Sequence, residues 1–113
     1  MADERWENVG GAEETWDHAA AARLEGATVL VGLTHRGAEG DWREQFFGTV
    51  MEVDPGEGIT LRLEGKRRGE IVTLPPLLDA FEPADPGIYE LKDADDRVID
   101  PDYIASWTLS RPH

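Results

Sequence analysis

From Thr28 onward the apolar positions fall on every second residue. Val29, Val31 and Leu33 alternate with Thr28, Leu30, Gly32 and Thr34, which predicts a first strand. His35 to Gly40 holds two glycines and predicts a turn. A long second strand is expected from about Trp42 to Val53, with Gly48 marking a bend or bulge in its middle. Asp54-Pro55-Gly56-Glu57-Gly58 is a strong turn sequence. Ile59, Leu61 and Leu63 then alternate with Thr60, Arg62 and Glu64, giving a third strand with one buried face. Glu70 to Leu74 predicts a fourth strand, Ile88 to Leu91 a fifth, and Ile104 to Leu109, with Trp107, a last one.

Ahead of the strands the period is helical. Asp17 is placed to cap a helix through His18-Ala19-Ala20-Ala21-Ala22-Arg23-Leu24-Glu25, and Gly26 stands where a left-handed residue ends one. The alanines favour helix, and only Leu24 and Trp16 offer bulk, so the helix is expected to lie on the barrel as a lid. Met1 to Glu14 is acidic, carries glycines and has no period. It reads as a flexible acidic tail (1–14) before a single domain (15–113). The fold class expected is mainly β: a small five- to six-stranded barrel with a short N-terminal helix.

Length and charge narrow the function classes. A chain of 113 residues suits one domain with one modest core. Formal net charge is −13, which repels phosphate backbones and anionic membrane surfaces. The absence of cysteine excludes disulfides and thiolate chemistry. Met1 to Gly11 has no basic-then-apolar order, and no apolar run approaches spanning length, so the expected location is cytoplasmic, away from membranes.

The segment Phe46-Phe47-Gly48-Thr49-Val50-Met51-Glu52-Val53-Asp54-Pro55-Gly56-Glu57-Gly58-Ile59-Thr60-Leu61 resembles the first motif of the Sm and Sm-like family. That motif sets an aromatic two before a glycine, an apolar residue two after it and an aspartate six after it, then an apolar-x-Leu strand. Phe46, Gly48, Val50, Asp54, Ile59 and Leu61 stand on those positions. The resemblance implies an Sm-like barrel, and an SH3-like barrel would carry the same pattern. It leaves open the family's ring assembly, which uses edge-to-edge strand pairing. Two departures count against transferring RNA binding: Gly58 stands where the family has a base-contacting asparagine, and no apolar-Arg-Gly-Asp/Asn motif follows near the end.

Candidate chemistry is sparse. Asp93, Asp95, Asp96, Asp100 and Asp102 supply oxygen ligands in number, but the glycine and terminal glutamate of a calcium loop are missing, so they read as a solvated turn. His18, His35 and His113 have no metal-ligand spacing. Ser106 and Ser110 lie outside any nucleophile-elbow pattern, and no glycine turn leads into a Lys-Ser/Thr phosphate cradle. No cofactor, metal or catalytic residue is expected. Lys66-Arg67-Arg68 is the one basic patch. Four tryptophans are many for this length. Trp107 reads as core, while Trp42 and Trp16 suit core or interface equally. The rigid Leu74-Pro75-Pro76-Leu77-Leu78-Asp79-Ala80-Phe81 stretch reads as cover for an open barrel end.

The expected function is therefore a non-catalytic interaction module. Its surface is drawn from Trp42, Lys66, Arg67, Arg68, Asp95 and Asp96, and its partner is an unidentified protein or a second copy of the chain. One concrete form is an acidic immunity- or antitoxin-like protein that covers a basic toxin. The alternatives are an Sm-like RNA-binding protein using the basic tip, and a small enzyme using a carboxylate pair.

Overall fold

A computed structural model describes residues 16–110. The tail over 1–14, with Trp6, and the terminal His113 lie outside the described residues. Helix α1 spans His18–Leu24, and the Asp17 side chain accepts from the Ala20 amide at 2.9 Å. Gly26 is left-handed at φ 84°, as a helix stop requires. Ala21 and Leu24 are buried, and Leu24 joins the core of the sheet, so the helix packs on an open sheet and not on a barrel.

Eight strands follow among the described residues: β1 (Thr28–Gly37), β2 (Gly40–Asp54), β3 (Gly58–Leu63), β4 (Ile71–Leu74), β5 (Phe81–Pro83), β6 (Ile88–Leu91), β7 (Asp96–Ile99) and β8 (Tyr103–Ser110). Six form one mixed sheet in the order β4-β3-β2-β1-β8-β5, and β6 and β7 form a separate hairpin. The β1–β8 pair is parallel, with Val31 beside Ala105 and Leu33 beside Trp107.

The expected five- to six-stranded barrel is corrected here: the sheet is open. It curls far enough for Leu74 of β4 and Phe81 of β5 to share one core with Val29, Val31, Phe46, Ile59, Leu61 and Leu63. Yet β4 and β5 do not pair. Pro75 and Pro76 have no amide to donate and stop β4, and β5 has three residues ending in Pro83. The Leu74–Phe81 stretch crosses between the two edges, with Leu78 packed on the core and Leu77 exposed.

Two local expectations also shift. His35 to Gly37 belongs to β1, not to the turn, because the Gly37↔Gly40 pair extends the ladder. The register break in β2 lies between Val50 and Glu52, at Met51, not at Gly48. Gly48 has another reason: a Cβ there would strike the Arg62 carbonyl and sit 2.8 Å from the Leu63 Cα. The turn after β2 forms as read, with Asp54 Oδ2 accepting from the Gly56 amide at 2.8 Å and the Glu57 amide at 2.7 Å.

The hairpin β6–β7 packs on the opposite face of the sheet. Leu91 and Val98 are buried there with Leu30, against Phe47, Tyr89 and Ile104. The acidic stretch that leads through it serves as scaffold. Asp100 Oδ1 accepts from the Gly87 amide at 2.8 Å, and Asp102 Oδ2 accepts from the Thr28 amide at 2.9 Å. No helix among the described residues is long and apolar enough to cross a membrane.

Candidate functional site

β2 is longer than the strand beside it. β3 pairs with it only from Gly48 to Asp54, so the Gly40–Phe47 half projects past the sheet on that side. The Glu64 amide donates to the Phe47 carbonyl at 2.9 Å, and Val50 bonds on the other side, to Ala27 and Gly26. Backbone groups alternate along a strand. Asp41, Arg43 and Gln45 therefore turn their amides and carbonyls away from β1, where no backbone partner meets them among the described residues.

Two loops wall off a cleft along this edge. One is Gly65–Arg67, a short 3-10 turn that follows β3. Gly65 is left-handed at φ 70°, and a Cβ there would strike the Phe47 ring and the Asp96 carboxylate, so only glycine fits. The other is the β6–β7 turn. The Asp93 amide donates to Gln45 Oε1 at 2.9 Å, and the Lys66 amide donates to Asp96 Oδ2 at 2.8 Å. The enclosed cleft has a volume of about 350 Å³ and is lined by the five consecutive residues Trp42 to Phe46, by Glu64, Lys66 and Arg67, and by Asp93, Ala94 and Asp96.

Trp42 stands at this cleft with 56% of its surface exposed. Its ring stacks on that of His35, its cross-strand partner, with centroids 3.9 Å apart and planes 10° from parallel. His35 Nε2 donates to Glu44 Oε1 at 3.0 Å, and Arg67 Nη1 donates to Glu44 Oε2 at 2.7 Å. Arg67 also donates to Glu70 Oε1 through Nη2 at 2.8 Å and Nε at 3.1 Å, and its guanidinium lies 5.0 Å over the Phe46 ring. Burial pushes the Glu44 carboxyl up, but hydrogen bonds from Arg67 and His35 and the adjacent charge outweigh it and hold the group below its ordinary value. The Arg67 hydrogen bond holds Glu70 below its ordinary value too.

Four of the six expected surface residues thus meet at one place: Trp42, Lys66, Arg67 and Asp96. Asp95 lies just outside, paired with Lys66 Nζ at 3.3 Å. Arg68 is exposed on the same loop but does not line the cleft. The basic tip is not a free cationic patch, since Glu44, Glu70 and Asp95 answer Arg67 and Lys66. The sequence reading missed His35, Glu44, Gln45 and Glu70 as parts of this site. The signal for His35 was present: a hairpin turning between Gly37 and Gly40 puts 35 opposite 42.

Chemically the cleft combines charged and aromatic side chains. Four carboxylates and three cations line it, together with Trp42 and Phe46, and no hydroxyl side chain does. Among the described residues no group of three or more histidine, aspartate and glutamate side chains is arranged to hold a metal. A comparison with protein-family models, with curated proteins and with solved structures finds no match to this chain.

Proposed function

We propose that the chain is a non-catalytic protein-interaction module and that the cleft along Trp42 to Phe46 is where its partner docks. The observation that carries this reading is Trp42, a large aromatic left half exposed beside a concave, partly apolar site. Tryptophan in such a place contributes more binding energy per residue than most side chains. The net charge of −13 favours a basic partner, such as a cationic toxin held by an immunity-like protein. The bent β2–β3 unit, with its Gly48 approach and Asp54 turn, supports kinship with Sm-like or SH3-like small barrels.

The test is a tagged pull-down from native lysate, with and without RNase, run side by side with the Trp42→Ala variant. A stoichiometric protein that survives RNase and is lost with Trp42→Ala is the expected result. Partners that vanish with RNase would favour the RNA-binding alternative instead. A protein partner retained at full yield by Trp42→Ala would move the docking site elsewhere.

A further inference from the structure

The cleft runs along an unpaired strand edge, and this decides the form of what fits it. Asp41, Arg43 and Gln45 offer amides and carbonyls at the strand repeat, over about 13 Å at roughly 3.3 Å per residue. Such an edge is a template for one more strand unless something covers it. A segment added there has its side chains directed alternately to the two faces. One face carries Trp42. The other carries Arg43 and Gln45, next to the β6–β7 turn.

The charges in the cleft select the occupant. Arg67 is neutralised by Glu44 and Glu70, and Lys66 by Asp95. The Glu64 and Asp93 carboxylates have no ion-pair or side-chain hydrogen-bond partner among the described residues. Arg43 is the matching unpaired cation in the lining, so free acids outnumber free bases there. The whole chain carries the same sign in excess.

We infer that the occupant is an extended, lysine- or arginine-bearing segment of a partner protein, added as a strand to the Asp41–Gln45 edge of β2, with its cationic side chains set against Glu64 and Asp93 and its apolar ones on Trp42. This rests on the docking role of the cleft argued above and adds the mode and the chemistry of recognition. Main-chain bonds supply affinity that tolerates many sequences, and the alternating side chains supply the preference for basic ones.

The experiment uses the full chain as bait for a phage-displayed library of short random peptides, followed by synthesis of the selected sequences. Enrichment of sequences with lysine or arginine at alternate positions is expected. A selected peptide protects the Arg43 and Gln45 amides from hydrogen exchange, and the Glu64→Gln/Asp93→Asn double variant binds it about tenfold more weakly. Selected peptides that are uncharged or acidic, or that leave those two amides unprotected, overturn strand addition by a basic segment. If their binding still depends on Trp42, the docking role of the cleft survives that result. Peptides indifferent to Trp42→Ala overturn both, and a selection that enriches nothing overturns the strand-addition mode.

Discussion

Glu44 and Arg67 are joined by a 2.7 Å ion pair that ties the projecting half of β2 to the loop after β3. Both residues line the cleft, and the same Arg67 guanidinium lies over the Phe46 ring. The ion pair replaces, with side chains, the backbone ladder that β3 abandons at Glu64.

That pair gives an acid dependence of definite sign. The folded-state pKa of Glu44 lies below its ordinary value. Its contribution is therefore fully present above the ordinary carboxylate range and is lost as pH falls through the lowered folded value. Between about pH 5 and pH 3, the melting temperature of Glu44→Gln should fall less than that of the unaltered protein. Thermal unfolding followed by circular dichroism across that range checks this. Equal slopes would mean the pair contributes nothing to stability.

Gly58 sets a second test, because it bears on the Sm-like resemblance. It is left-handed at φ 112°, and a Cβ there would strike the Leu74 carbonyl and come within 3.0 Å of Thr73 Cγ2. Gly58→Asn, which places the asparagine of the Sm motif at this position, should destabilise the protein by about 2 kcal/mol and confer no RNA affinity. Urea denaturation and a low-salt RNA titration measure the two halves of this expectation.

Trp107 presents a buried indole Nε1 with no hydrogen-bond partner among the described residues, and its ring meets Phe81 edge-on at 5.5 Å. An orphaned donor costs about 1–3 kcal/mol, which offsets part of what the ring contributes. Trp107→Phe should therefore lie within about 1 kcal/mol of the unaltered protein, whereas Trp107→Ala should lose about 3–5 kcal/mol. A large loss from the phenylalanine variant in denaturant unfolding would show that Nε1 is bonded in solution.

Asp102 holds the first and last strands in register. Its carboxylate accepts from the Thr28 amide at 2.9 Å, and its own amide donates to the Thr28 carbonyl at 2.8 Å. Asp102→Ala should cost about 1–2 kcal/mol and speed hydrogen exchange at the Thr28 amide. Asp102→Asn, which keeps an acceptor oxygen, should lose less. An Ala variant with unchanged Thr28 exchange would place the strand register elsewhere.

Much of the local structure was legible because its causes are local. The Asp17 cap, the alanine run and Gly26 specify a helix within a few residues of one another. Asp54 binds amides two and three residues ahead, so its turn is written in five consecutive residues. The strands around Val29 and Ile59 follow a period of two that needs no partner to be seen. By contrast, Phe81-Glu82-Pro83 has no alternation of its own and is a strand only because Ala105, Ile104 and Tyr103 lie opposite. β7 is similar: Val98 alone is buried in it, against Leu91 and Leu30.

The amino-acid sequence by itself determined the helix, six of the strands, the principal turns, the acidic charge and the candidate residues Trp42, Lys66, Arg67 and Asp96. What only the tertiary structure decided was how the strands are ordered and what their order leaves open. β8 pairs in parallel with β1, which no local pattern announces, because the choice of neighbour is made between residues some seventy positions apart. With β1 flanked by β2 and β8, and with Pro75, Pro76 and Pro83 removing donors at the ends, β4 and β5 are left as unpaired edges, and the barrel stays open. The cleft has the same origin. It exists because β2 outruns β3, a difference in pairing length that belongs to neither strand alone.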